Sequence, residues 1–396
     1  MNANTPVILS AARTPIGKFM GALSSIAATK LGAVAAKAAI ERAGIDSVEI
    51  DEVLFGQVIG AGSGQSPARQ VGIFAGVPDT VCATALNKAC GSGLKAVMLA
   101  AQAIKAGDGN LYLAGGMENM SATPHLVRMR QPSKYGNQEL IDSAYYDGLR
   151  DPFYDWAMGM DAEYIAEEGE VTRQAMDHFA LASHQKALAA IDAGHFVDEI
   201  VPVEVVMGKN KTWVTTDESP RRETSLEALT KLKPAFKPDG RVTAGNAPGL
   251  SDGASVLVLA SAGKAAAIGA KPLARVVGYA QAAVAPKRIF IAPAIAIPKL
   301  LQNVGWMLKD VDLVELNEAF AAQVLADGYA LTAQGWDWDK VNVNGGAIAL
   351  GHPVGCSGAR VLTTLIYALR ARGLRRGIAS LCLGGGEAVA MAVELI

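Results

Sequence analysis

The two ends of this chain carry the same three-part pattern, and that repeat constrains the fold more than any other feature. DEVLFG at 51–56 matches DLVELN at 312–317, an acidic residue opening a short apolar run. About forty residues after the start of each comes a Gly-rich loop, CGSG at 90–93 and GHPVGCSG at 351–358. Each loop opens a helical stretch, and each stretch leads to an apolar run ending in glycines, LYLAGG at 111–116 and ASLCLGGG at 379–386. Two copies of a βαβ unit facing one another would bring both Gly-rich loops into one cleft. The competing explanation is chance recurrence of a unit that α/β proteins use often.

Short β-branched runs alternate with Ala-rich stretches along the whole chain. Val7–Ser10, Val53–Phe55, Leu111–Ala114, Ser255–Ala260, Leu313–Leu316, Val341–Asn344 and Ala388–Val393 read as strands. Leu31–Ala43, Gly93–Ala106 and Ser357–Ala371 read as helices; in the second, Leu94, Val97, Met98, Ala101 and Ile104 keep a helical period. The alternation predicts an α/β layered fold. Residues 121–248 break it. They hold 11 of the 23 Phe, Trp and Tyr side chains, many charges and a few helices such as Thr172–Ala193, and read as an insertion covering a site. With 396 residues, more than one packed unit is expected. The expected division is an N-terminal half at 1–120 completed by about 249–270, an inserted loop domain at 121–248, and a C-terminal half at 271–396.

Charge and composition exclude several classes. A formal net charge of −2 suggests neither a nucleic-acid nor a membrane partner. No run approaches the roughly 18 apolar residues of a membrane span. The first residues, MNANTPVILSAARTPIGKF, lack the basic and apolar regions of a signal peptide. The four cysteines, Cys82, Cys90, Cys356 and Cys382, contain no CxxC pair, so a reduced thiol set and a cytoplasmic location are expected. No short ligand spacing suggests a metal, and no Gly-rich loop has the order of a dinucleotide site.

Three segments carry candidate chemistry. Cys90 precedes small residues and a helix start, where unpaired N–H groups favour a thiolate nucleophile; the alternative is an inert buried thiol. His352 sits among five glycines in fifteen residues and is followed by Pro353, which biases it towards extended backbone. A fixed imidazole there suits a general base, although a satisfied core histidine fits as well. Cys382 ends a β-run before three glycines whose N–H groups can form an oxyanion site. Asn317, at a strand-to-helix junction, either caps the helix or holds a catalytic water. Cys356 and Cys82 read as packing residues.

CGSGLKA, GGMENMS, NEAFAAQ, NVNGGAIALGHPVGCSGAR and CLGGG occur in the order seen in thiolases, and the sequence most resembles the biosynthetic, acetoacetyl-CoA type. ARTPIGKFMG, KLKPAF and TAGNAPG extend the likeness over the whole chain. The resemblance implies a thiolase-like α/β fold of two pseudo-symmetric αβαβα halves plus an inserted loop domain. It implies a reversible Claisen condensation of two acetyl-CoA to acetoacetyl-CoA and CoA, or the reverse thiolysis, through an acyl-Cys90 intermediate. His352 would activate Cys90, Cys382 would move the proton of the α-carbon, and Asn317 would position a water. The N–H groups of Cys90 and Gly384 would hold an oxyanion. Leu149, Met158, Arg221, Phe236, Ala244, Pro248 and Phe320 match positions near coenzyme A, which is a substrate here rather than a prosthetic group. A homo-oligomer is implied, a dimer of dimers, with Ser121–Asp142 resembling the segment that joins the dimers.

The departures fall near the substrate. Short-chain thiolases often carry His where this chain has Ala157, and Ser at the positions of Ala228 and Pro248. The run Arg288–Ile291 and Glu387 also differ. These changes bear on acyl-chain preference and affinity rather than on catalysis. The rival readings are a 3-ketoacyl-CoA thiolase of β-oxidation preferring longer chains, a ketoacyl synthase, which Cys382 opposes, and a non-catalytic thiolase-like lipid-binding protein, opposed by the intact Cys90, His352 and Cys382.

Overall fold

The computed structural model describes residues 1–130 and 134–396. Its frame is one large sheet built from nine strands: β1 (Pro6–Arg13), β2 (Glu52–Gly56), β3 (Cys82–Leu86), β4 (Leu111–Asn119), β5 (Ser251–Ser261), β6 (Ala274–Ala283), β7 (Leu313–Leu316), β8 (Arg376–Leu383) and β9 (Glu387–Leu395), with Gly17–Lys18 pairing on β5. The spatial order is β7-β8-β9-β6-β1-β5-β4-β2-β3. The main helices are α1 (Ala28–Ala43), α2 (Ser92–Ala106), α3 (Met158–Glu168), α4 (Arg173–Asp192), α5 (Pro293–Val304), α6 (Ala321–Leu331) and α7 (Val354–Ala371).

The repeat seen in the sequence is a repeat of topology. In the N-terminal half β3, β2 and β4 run parallel, then β5 and β1 follow antiparallel. In the C-terminal half Val341, β7 and β8 run parallel, then β9 and β6 follow antiparallel. The halves meet where β1 pairs antiparallel with β6, Val7 opposite Arg275 and Ile8 opposite Ala274. The expected strand at Val341–Asn344 is reduced to a single bridge from Val341 to Val314. Asn342 turns the chain at φ 45°, and its side chain takes over the pairing. Its Oδ1 accepts the Leu316 N–H at 2.9 Å and its Nδ2 donates to the Leu316 carbonyl at 2.8 Å.

Period-two alternation sorts the strand residues onto two faces. Leu54, Tyr112, Ala114, Leu257, Leu259, Leu381, Leu383, Val389, Met391 and Val393 share one core with α2 and α7. Val53, Phe55, Leu111, Leu113, Val256 and Val258 face α1, whereas Ile378, Ala388, Ala390 and Ala392 face α5. The two halves together therefore make five layers, helix–sheet–helix–sheet–helix, with α2 and α7 in the middle. The middle position explains α7, in which every residue from Val354 to Leu369 is buried. A helix covered on all sides needs apolar residues all round. Leu362, Leu365, Ile366 and Leu369 are fully buried in it, each burial contributing about 1.5–3 kcal/mol.

Among the described residues, no strand of the large sheet lies between Asn119 and Ser251. That stretch holds α3, α4 and three short hairpins, Val203–Met207 with Asn210–Val214 among them. The helix expected at Thr172–Ala193 is α4, capped by the Thr172 hydroxyl accepting the Ala175 N–H at 3.1 Å.

The middle layer closes through glycine. A Cβ on Gly358 would lie 2.3 Å from the Leu94 backbone nitrogen, and one on Gly93 would lie 2.7 Å from the Ala359 nitrogen. The obstacle is backbone in both cases, so no side-chain rotation relieves it. Gly358→Ala is expected to destabilise by at least the 1–3 kcal/mol (roughly) of an overpacked core. The check is a lowered denaturant midpoint against the parent protein.

Candidate active site

Cys90, His352, Cys382 and Gly384 arrive from three elements and line one cavity of about 390 Å³. Cys90 lies in the turn before α2, between the halves of the middle layer. The Ser92 hydroxyl builds that turn, accepting the Lys88 N–H at 2.8 Å and donating to the Ala89 carbonyl at 2.6 Å. Ala89 holds φ at 44°, an uncommon conformation for a residue with a Cβ, and the Asn87 side chain accepts its N–H at 3.0 Å. Cys90 itself is half-buried and opens onto the cavity.

The helix-start argument for a ready thiolate does not hold. Burial pushes the Cys90 thiol up to about 11, and the nearby Glu118 carboxylate adds to the rise. The Gly384 N–H and the Cys90 N–H pull the other way, but desolvation is the larger effect. Cys382, at the end of β8, is buried, and its thiol is held well above its usual value by burial, by Cys90 and by Asp327.

His352 follows Gly351, which sits at φ 109°, and its own N–H is accepted by the Ser251 hydroxyl at 3.1 Å. Its Nδ1 lies 2.6 Å from the Ser357 Oγ, and that hydroxyl donates to the Pro353 carbonyl at 3.0 Å. With the Ser357 proton engaged, Nδ1 carries the hydrogen and Nε2 keeps the lone pair; this tautomer is assigned from the network. Among the described residues, Nε2 has no hydrogen-bond partner. Burial, then Arg360, lowers the imidazole to about 3, so it is neutral near pH 7. The resting trio is therefore two thiols and one neutral base.

Asn317 lies just beyond β7, fully buried, and does not line the cavity. It caps nothing: the residue at the start of α6 is Phe320, with no side-chain cap bond. Among the described residues, neither atom of its amide has a hydrogen-bond partner. A buried amide with both atoms unpaired needs a non-protein partner such as water.

Of the positions expected near coenzyme A, Leu149, Met158, Phe236, Ala244, Pro248 and Phe320 line the cavity. Phe320 stands edge-on to both Phe290 and Phe236, with ring centroids 5.3 Å and 6.4 Å apart. Arg221 does not join them. It is exposed, outside the lining, and its N–H donates to His184 Nδ1 at 3.2 Å. Its neighbour Arg222 is already paired with Asp192. Ala157 lines the cavity but Ala228 is exposed outside it. Arg288 pairs with Glu168 at 2.5 Å, and Glu387, just after the three glycines, pairs with Lys88, just before Cys90. Cys356 is buried as expected, whereas Cys82 is exposed on edge strand β3 rather than packed.

Two supporting residues escaped the sequence reading. Ser357 was hidden inside a Gly-rich motif, and only its spacing of five from His352 hinted at contact. Glu118 carried a clearer signal, a carboxylate inside an otherwise apolar strand.

Models of known families match nearly the whole chain: the thiolase N-terminal domain over residues 6–263 and the thiolase C-terminal domain over residues 270–395. This chain belongs to the thiolase family. An acetyl-CoA acetyltransferase from Pseudomonas aeruginosa is 51% identical over 387 residues, covering 97% of this chain and 98% of that protein. One from Cupriavidus necator is 51% identical over 390 residues, covering 98% of each. The crystal structure of the Bacillus anthracis acetyl-CoA acetyltransferase superposes with a TM-score of 0.96 at 44% identity over 99% of both chains. That from Syntrophomonas wolfei reaches 0.97 at 41% identity over 100% of both. The thiolase sheet, middle layer and glycine loops described above are thus shared with solved thiolase-fold relatives.

The depressed imidazole of this thiolase has a stability signature. Unfolded, His352 binds a proton near pH 6.5; folded, it does so only near 3. The unfolded state therefore holds more protons between those values, and stability falls as pH drops from 6.5 towards 3. Glu118, raised to about 7, acts with the opposite sign, gaining stability below its folded value. Comparing wild type with His352→Asn isolates the histidine. The wild type should lose up to about 1.4 kcal/mol per pH unit more than the variant on acidification from 6.5. Urea midpoints at several pH values check this.

Proposed function

We propose that this thiolase is an acetyl-CoA C-acetyltransferase, joining two acetyl-CoA into acetoacetyl-CoA and CoA or running that reaction in reverse. The observation that carries the reading is the convergence of two thiols, one unprotonated imidazole nitrogen and a glycine N–H in one largely apolar cavity. Cys90 attacks the thioester carbonyl while His352 Nε2 takes the thiol proton, then returns it to the leaving coenzyme A sulfur. No preformed thiolate is needed, because charge develops only as the proton moves. The N–H groups of Cys90 and Gly384 receive the first oxyanion.

In the second half, Cys382, its own thiol proton passed to Nε2 of His352, takes a proton from the α-carbon of the second acetyl-CoA; the same imidazole later gives the thiol proton to the Cys90 thiolate. The carbanion attacks acyl-Cys90, the new carbon–carbon bond forms, and Cys90 leaves as thiolate to be reprotonated. A Cys382 thiolate is costly while Cys90 can also ionise nearby; an acylated Cys90 cannot, which removes one cause of the rise. A water held by Asn317 with His352 supports the other thioester oxygen. Leu149, Met158, Phe236, Ala244, Pro248 and Phe320 receive the pantetheine arm, and Arg221 meets phosphate at the surface. Acyl-CoA esters are the substrates, and no prosthetic group takes part.

Incubation with acetyl-CoA should place an acetyl group on Cys90, found by peptide mass. Cys382→Ser should slow condensation about 10²–10⁴-fold yet leave acetylation of Cys90 nearly intact, whereas His352→Ala should impair both. Equal loss of both half-reactions in Cys382→Ser would overturn the assignment. The apolar wall of Phe290, Ile289 and Phe320 favours a second reading, a 3-ketoacyl-CoA thiolase for longer chains. In the same assays, kcat/KM for thiolysis should fall as the 3-ketoacyl chain lengthens; a rise would favour that reading.

The proposed division of the chain is 1–120 with 249–270, 121–248, and 271–396. Among the described residues, no helix is long and apolar enough to cross a membrane, and a cytoplasmic enzyme is proposed. A dimer of dimers is proposed through Ser121–Asp142. In this segment His125–Leu126 pairs with Ile141–Asp142, and Val127, Met129 and Leu140 are exposed. Gln131, Pro132 and Ser133 of that segment lie outside the described residues. Light scattering should give about four times the chain mass of 41.1 kDa; a monomer mass at micromolar concentration would overturn it.

A further inference from the structure

Glu118 is a carboxylate fully buried in β4, and among the described residues no cation pairs with it. Such a group is costly unless hydrogen bonds replace its water. Three backbone donors do so. Its Oε2 accepts the N–H of Val58 at 2.9 Å and of Gly355 at 3.0 Å, and its Oε1 accepts the N–H of Ile59 at 3.2 Å. Burial still lifts it to about 7.

The donors belong to the two arms of the active site. On one side the Val58 carbonyl accepts the Asn87 Nδ2 at 3.1 Å, and the Asn87 Oδ1 accepts the Ala89 N–H, fixing the left-handed residue beside Cys90. On the other side Gly355 lies in the first turn of α7, three residues past His352 and two before the Ser357 that binds its ring. The fit is close: a Cβ on Gly355 would lie 2.7 Å from the Glu118 Oε2.

We propose that Glu118 is a positioning residue: its single carboxylate ties the loop carrying Cys90 to the helix start carrying His352, and so fixes the path along which the Cys90 proton moves. The proposal rests on the reading of Cys90 as nucleophile and His352 as base.

The test uses Glu118→Gln in the full-length protein in its native assembly. The Gln NH₂ is a donor, and must face at least one of the three N–H donors. Turnover with acetoacetyl-CoA and CoA is expected to fall about tenfold to a hundredfold in kcat, the loss typical of a small misplacement, with KM little changed. Alkylation of Cys90 by iodoacetamide should move the other way. The Glu118 charge holds that thiol up, so its removal shifts the alkylation profile to lower pH. A merely loosened fold would instead expose Cys356 and Cys382 to the reagent without such a shift.

Where Glu118→Gln fails to fold, Asn87→Ala decides. Asn87 is exposed, and its loss cuts only the arm to Ala89, so kcat should fall with the melting temperature kept. Wild-type kcat in Glu118→Gln, or a silent Asn87→Ala, overturns the proposal. An acetyl group found on another cysteine of the wild type overturns the underlying reading instead. The alkylation profiles need no substrate and separate loss of the charge from a loosened fold, while kcat in the two variants judges the tie.

Discussion

The active site exists because two helices approach each other backbone to backbone. At the crossing of α2 and α7, Gly93 stands against Ala359 and Gly358 against Leu94, in reciprocal contacts that leave no room for a Cβ. Gly116 extends the same contact, since a Cβ there would lie 2.0 Å from the Gly355 carbonyl. This closeness places the turn before α2 beside the turn before α7, and hence Cys90 beside His352. Any larger residue at the crossing would press backbone against backbone and push the halves apart. The reacting groups would then lose the short range at which proton transfer works.

Closeness also excludes water, and that sets the electrostatics. Burial moves Cys90, Cys382 and His352 each towards its neutral form. Elsewhere in the interior a buried cation is held by ion pairs. Arg13 is completely buried, with its guanidinium bonded to Asp217 at 2.7 Å and to Glu199 at 2.5 Å. Thr364 of α7 donates to the same Glu199 at 3.1 Å. Residues from β1, from the inserted segment and from α7 thus share one ion network. Removing one partner would leave an uncompensated charge in the interior. Among the described residues, none of these charged groups lines the cavity shared by Cys90, His352 and Cys382.

Much of this was legible in the sequence. The strands announced themselves because β-branched runs alternate, and Cys90, His352 and Cys382 because glycines flank each of them. Asn342 was misread because its side chain, rather than a strand backbone, pairs with Leu316. The thiolate expected of Cys90 was misjudged because a sequence shows a helix start but not the depth of burial. Arg221 was grouped with the coenzyme A positions by resemblance, yet it is exposed and outside the cavity lining. Glu118 shows in the sequence only as a carboxylate in a mostly apolar strand and Asn317 only as a junction residue, because the surroundings of both are set by long-range packing.

Register shows how one repeated unit performs two tasks. Gly115 pairs opposite Phe55, whereas Ser380 pairs opposite Leu316, the corresponding residue of the other half. The glycines of LYLAGG and ASLCLGGG are therefore not equivalent, although they look alike in sequence. Counting on from that register, Cys382 occupies the place of Met117, and Gly384 the place of Asn119. The reciprocal helix contact makes Gly93 equivalent to Gly358, so Ser92 matches Ser357 and Cys90 matches Gly355. Both serines bond a carbonyl of the preceding turn, Ala89 in one half and Pro353 in the other. In the N-terminal half the serine builds the turn that presents a thiol. In the C-terminal half it also orients an imidazole, and the position equivalent to the thiol is a bare glycine N–H held by Glu118. A side chain at Gly355 would collide with Met117 and Glu118. The pseudo-symmetry therefore breaks at this point: one copy carries the Cys90 thiol where the other has no room for a side chain.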